Sequence, residues 1–71
     1  MERKEIEYSR TIRSIGYDSE KLMMEVEFAT DMIYQYRNFP ESEYQKIMEA
    51  RSIDRYFQDN IVNKYKYVRM K

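Results

Sequence analysis

The run Leu22–Tyr36, LMMEVEFATDMIYQY, restricts this chain more than any other stretch. Leu22, Met24, Val26 and Phe28 alternate with Met23, Glu25 and Glu27, the period-two pattern of a strand with one buried and one wet face. After Ala29-Thr30-Asp31 the alternation restarts, with Met32, Tyr34 and Tyr36 on one side and Ile33, Gln35 and Arg37 on the other. Two strands separated by so short a polar break form an antiparallel hairpin. Asp tolerates the left-handed backbone that a tight turn demands, so Asp31 suits that position.

The flanking segments extend this hairpin. Thr11–Asp18 reads as a preceding strand joined through the polar turn Asp18-Ser19-Glu20-Lys21. Its alternation breaks, because Ile12 and Ile15 have opposite parity. Gly16 follows the break, which marks a bulge or a close approach of another backbone. Beyond the hairpin, Phe39-Pro40-Glu41-Ser42-Glu43 opens a helix. Pro is at home in a first turn, and the two acids favour the positive end of the helix dipole. Tyr44, Ile47, Met48 and the stem of Arg51 then share one helical face. Ser52 is an N-cap for a second helix, on which Ile53, Phe57 and Ile61 repeat every four residues beside Tyr56. The tail from Asn63 to Lys71 alternates again and returns as a strand or extended segment to a sheet edge.

The expected fold is therefore α+β: a three-stranded antiparallel meander, two short helices packed on one face, and a C-terminal strand or extended tail. Residues 1–8, MERKEIEY, are expected to be a charged, partly disordered arm, and residues 9–71 a single domain. Seventy-one residues lie near the lower limit for one hydrophobic core. With no Cys and no His, neither disulfides nor the usual zinc sites are available to staple it. Packing of 8 Tyr and 3 Phe has to take their place, each ring burying roughly 150–250 Å².

Composition also narrows function. The same lack of His and Cys, with a single Gly and hence no phosphate-cradling loop, points away from an enzyme and from any cofactor. Glu25 and Glu27 share a strand face, but nothing in the sequence supplies the desolvated cleft that a catalytic acid pair needs. No apolar run is long enough to span a bilayer and no apolar leader follows the start, so a cytoplasmic protein without membrane contact is expected. Net charge is zero but unevenly spread. Residues 1–49 carry 7 basic and 11 acidic side chains; residues 50–71 carry 6 basic and 2 acidic ones.

Two groups of residues are candidates for binding. Tyr34 and Tyr36 lie two apart on one strand, so both rings project from one sheet face. Exposed, they form a platform on which unpaired bases stack; under the helices, they are core. Tyr56, Tyr65 and Tyr67 are interleaved with Arg55, Lys64, Lys66 and Arg69, the mixture of rings and cations that a single-strand binder uses. The same tail also reads as a solvated segment whose tyrosines seal the core edge.

Taken in order, these residues resemble the KTSC domain, named for its occurrence at the C-terminus of some lysyl-tRNA synthetases and found also in free-standing small bacterial proteins. The matching positions are Ser9, Ile12, Ile15-Gly16-Tyr17-Asp18, Leu22, Val26 and Phe28, then Tyr34 and Tyr36 as the Tyr-x-Tyr centre. Pro40, Tyr44, Ala50, Ser52, Tyr56-Phe57, Ile61 and Tyr65 complete the match. The resemblance implies a small α+β module with no established activity, for which RNA binding is a suggestion. Three positions depart from the pattern. Asp31 and Asp54 stand where Gly is frequent, and Val62 stands where Arg is frequent, which removes a positive charge. The expectation is a small non-catalytic binding module for RNA or tRNA. The alternative is a protein-interaction or homodimerisation module with no nucleic-acid role, and no metal is expected in either case.

Overall fold

The computed structural model describes residues 1–71. Five strands, β1 (Arg3–Glu5), β2 (Ile12–Asp18), β3 (Met23–Phe28), β4 (Ile33–Arg37) and β5 (Tyr67–Arg69), form one antiparallel sheet in the order β1-β2-β3-β4-β5. Helices α1 (Glu41–Glu49) and α2 (Ile53–Asn60) lie between β4 and β5 in the chain. The α+β class, the hairpin, both helices and the returning tail are as the sequence indicates. The strand count is not: the sheet has five strands rather than a three-stranded meander with a tail.

The extra strand comes from the charged arm. Arg3, Lys4 and Glu5 pair with Gly16, Ile15 and Ser14, and the Arg3 guanidinium reaches over β2 to Glu25 at 2.6 Å. Gly16 makes this possible. A Cβ placed there would lie 2.8 Å from the Glu2 carbonyl oxygen and 3.0 Å from Arg3 Cγ. The close backbone approach that Gly16 signals is thus with the arm itself, a segment whose three exposed polar side chains carry no burial pattern. The parity break just before it is also real. Ile12 pairs with Phe28 and Ser14 with Glu27, so Arg13 is an extra residue that bulges out to meet Asp31 at 2.6 Å.

Because Arg13 is bulged, Ile12 and Ile15 both face the helices. The register sets Ile15 beside Val26, Val26 beside Tyr34, and Met24 beside Tyr36. Phe39, Ile47, Phe57 and Ile61 close over this face, completing a core of nine buried apolar residues. Each such side chain contributes roughly 1.5–3 kcal/mol by leaving water. Leu22 departs from expectation. It lies in the β2–β3 turn with φ 51° and is 43% exposed, because its carbonyl turns to accept the Phe39 amide at 2.8 Å. Asp31, with φ 71°, takes the left-handed turn position expected of it.

The helix starts differ in kind. At α1 the cap position is Pro40, whose side chain offers no hydrogen bond, so Glu41 and Glu43 in the first turn carry the favourable interaction with the dipole. At α2 the Ser52 hydroxyl accepts the Arg55 amide at 3.2 Å. The extended backbone at Ala50 separates the two helices and turns α2 across the sheet.

The opposite sheet face stays open and polar. Gln35 donates to Glu25 at 3.1 Å, Arg37 donates to Gln35 at 3.0 Å, and the Ser14 hydroxyl donates to Glu27 at 2.9 Å. Glu25 and Glu27 are therefore members of a cross-strand polar ladder. The Arg3 hydrogen bond holds the Glu25 carboxyl below its ordinary range. Gly16→Ala should lower stability by about 1–3 kcal/mol through overpacking against the arm. Urea denaturation checks this, and an unchanged midpoint would mean that β1 is not seated on Gly16.

Candidate functional site

The densest group of rings gathers where β4 and β5 meet α2. Register places Tyr34 opposite Arg69 and Tyr36 opposite Tyr67. Tyr34 and Tyr67 stack with centroids 4.0 Å apart and planes 7° from parallel. Phe28 meets Tyr34 edge-on at 4.8 Å, and Phe57 from α2 meets Tyr36 edge-on at 5.9 Å. These arrangements are the ones favoured by the ring quadrupole. The five rings, with Met32 and Val62, line a cleft of about 290 Å³ between the sheet and α2. Thr11, Asp54 and Gln58 supply its polar side, and no Lys or Arg lines it.

Environment tunes the rings. Burial pushes the Tyr36 phenol far up, and the Tyr67 hydroxyl and burial together raise that of Tyr34. Both stay neutral at any physiological pH. At the polar end, Asp54 sits in the first turn of α2 and holds the loop that leads into β2. Its carboxylate accepts the Ser9 and Thr11 hydroxyls, the Arg10 amide at 2.9 Å and the Thr11 amide at 3.3 Å. The Ser9 oxygen in turn accepts the Ile12 amide at 2.8 Å. Burial disfavours the Asp54 charge, but the Ser9 and Thr11 hydroxyls and the two amides outweigh it and hold the carboxyl down at about 2. Asp54 is thus a permanent negative charge whose hydrogen-bond partners are all neutral. No group of three or more His, Cys, Asp or Glu side chains is placed to hold a metal ion.

The structure divides the residues that sequence reasoning grouped. Tyr34, Tyr36, Tyr67 and Arg69 come together at the β4–β5 edge. Tyr36 is 2% exposed and Tyr34 is half-buried on the helix side, so the pair does not present two free ring faces. Arg55 and Tyr56 lie elsewhere on α2, lining a shallow polar surface with Asp59. Arg55 is within 3.7 Å of Asp59. The Tyr56 hydroxyl donates to Glu43, which pushes the phenol up to about 12. Tyr65 tucks against Phe39 with centroids 4.6 Å apart. Lys64 is exposed in the turn after α2, and Lys66 joins Arg37 and Asn38 along a separate groove.

Sequence reasoning missed Thr11, Phe28, Phe57 and Gln58 as site residues, since nothing local distinguishes them from core or surface. For Asp54 and Val62 a signal existed: both depart from the pattern that the chain resembles, and both line the cleft.

Comparisons with known proteins agree with this architecture. The family model of the KTSC domain matches residues 8–65. An uncharacterized protein of Stutzerimonas stutzeri is 41% identical over 49 residues, which cover 69% of each chain. The crystal structure of a KTSC domain protein from Yersinia pestis superposes with a TM-score of 0.92 at 34% identity, covering 99% of this chain and 97% of that one.

The Asp54 clamp makes an acid-sensitivity prediction. Its folded pKa, about 2, lies below the ordinary value of 3.8, so its contribution is complete above about pH 4 and is lost as pH falls toward 2. Denaturation midpoints followed from pH 5 to pH 2 should fall more steeply for the native chain than for Asp54→Asn. Parallel curves would show that the clamp does not contribute.

Proposed function

This chain belongs to the KTSC domain family, and on that premise we propose that it is a small non-catalytic binding module which docks a protein partner through the cleft beneath α2. One observation carries this reading. The cleft combines five aromatic rings with Met32 and Val62, and no Lys or Arg lines it. A phosphate-binding groove needs cations where the backbone runs, and this one lacks them. An apolar side chain entering here displaces water from ring surfaces and gains at about 25 cal/mol per Å² covered. Val62 and Tyr67, just past the end of α2 and on the edge strand, add exposed apolar surface to the cleft's rim.

The non-catalytic part of the reading rests on the site's titratable groups. Asp54 has both oxygens engaged and a pKa far from neutrality; Tyr34 and Tyr36 are held protonated. None is poised to move a proton near pH 7. Single-stranded RNA is the competing occupant, favoured by one observation: Tyr67, stacked on Tyr34, is 47% exposed, and Arg69 stands opposite Tyr34 on the same edge.

An amide-shift titration separates the two. A blocked tripeptide with a central norleucine should shift Phe28, Tyr34, Val62 and Tyr67 with little dependence on salt. Short oligouridylate should shift them only weakly, and less as salt rises. Val62→Arg, at an exposed position, should weaken the peptide. If it instead creates or strengthens RNA binding to the native cleft residues, and the peptide never bound, the protein-partner reading fails.

A further inference from the structure

Asp54, like Glu43 and Asp18, is engaged by neutral donors alone, and of these three only Asp54 lines the aromatic cleft. Arg3 pairs with Glu25, Arg13 with Glu27 and Asp31, and Arg55 with Asp59; Asp54 takes part in no ion pair. Its partners are two hydroxyls and two amides, and the only positive compensation near it is the partial charge at the start of α2. It lines a cleft whose other walls are largely the rings of tyrosine and phenylalanine, whose faces are electron-rich. Aromatic walls with a carboxylate at one end attract a cation carried on an apolar stem.

The geometry also restricts which cation. Oδ1 of Asp54 accepts the Ser9 hydroxyl, the Thr11 hydroxyl and the Thr11 amide, whereas Oδ2 accepts the Arg10 amide alone. One oxygen is full and the other has room for a further donor. A guanidinium loses its stronger paired geometry when only one oxygen is open, whereas an ammonium needs just one. The lysine side chain fits in a further respect. Its four-carbon stem can lie along Phe28, Met32 and Val62 while its charge reaches the polar end.

We propose that the cleft beneath α2 is a receptor for a lysine side chain of a protein partner, with Asp54 as its counter-ion and the surrounding rings as its walls. This rests on the protein-docking reading above and narrows it to one side-chain type. One feature works against a second cation: Arg69 stands opposite Tyr34 at the outer edge, although its own Nε donates to the Lys71 carbonyl. Removing Arg69 should therefore strengthen lysine binding, which gives a variant on an exposed edge strand that leaves the Asp54 clamp untouched.

The test compares two blocked tripeptides, acetyl-Gly-Lys-Gly-amide and acetyl-Gly-norleucine-Gly-amide, by amide-shift titration of the labelled full chain. They share the stem and differ in the charge. The lysine peptide should bind about tenfold tighter at the resonances of Tyr34, Asp54, Phe57 and Tyr67. Arg69→Ala should raise the affinity for lysine about twofold to threefold and leave that for norleucine unchanged. Asp54→Asn, where it folds, should bring the two peptides to equal affinity. Equal affinities in the native chain, or tighter binding of norleucine, would overturn the lysine assignment and leave the docking cleft standing. No shift at those residues with either peptide would overturn both.

Discussion

A single carboxylate joins the two ends of this fold. Asp54 projects from the first turn of α2 and gathers Ser9, Arg10 and Thr11 around it, fixing the connection between β1 and β2. Few tertiary hydrogen bonds hold α2 otherwise; Phe57 and Ile61 hold it by packing, which has no directional preference. Directional bonds at one end and apolar burial along the length together set the helix at a definite height above β4. That height is the width of the cleft. The same group that orders the fold therefore also places a negative charge at the edge of its largest aromatic surface.

The eleven aromatic side chains divide their labour through register. Tyr36 is pulled under the helices because it pairs with Met24, and Met24 is core. Tyr34, two residues away on the same face, reaches the sheet margin, where Tyr67 from β5 covers it. Tyr17 stacks on Tyr44 at 4.8 Å and its hydroxyl donates to the Phe39 carbonyl, so a ring near the far margin closes the gap between β2 and α1. Tyrosine suits such margins because each ring seals apolar atoms while its hydroxyl finds water or a carbonyl. A core this small is completed at its rim, and the cleft lies where the rim is left unfinished.

The open sheet face shows how five strands remain uncovered on one side. Arg3, Glu25, Gln35 and Arg37 form a row running across the strands, and Ser14, Glu27, Arg13 and Asp31 form a second. Cross-strand pairs of this kind satisfy polar groups without needing a second layer. Such exposed pairs contribute little stability individually. Their role is to keep most of the uncovered face polar, with Met23, Ile33 and Val68 interspersed among them.

Alternation and spacing alone determined the hairpin, the entry strand with its bulge, both helices and the returning tail. Period-two and period-3.6 patterns are local signals, and Leu22–Tyr36, Tyr44–Met48 and Ile53–Ile61 carry them plainly. The resemblance to the KTSC domain was likewise legible, because it rests on residue types in order. What tertiary structure decided was everything that depends on distant partners. The charged arm became β1 because β2 offered free backbone groups and Gly16 offered room, neither of which the arm's own residues reveal. Tyr34 and Tyr36 could be platform or core until the register with Val26 and Met24 settled them on the helix side. Arg55, Tyr56 and Lys66 were gathered by sequence proximity and dispersed by the turn after α2, whereas Asp54, Phe57 and Val62 were brought to the cleft by a helix laid across strands far away in the chain. Local preference depends on neighbours one to four residues away; a site depends on which surfaces meet, and only the folded chain brings those surfaces together.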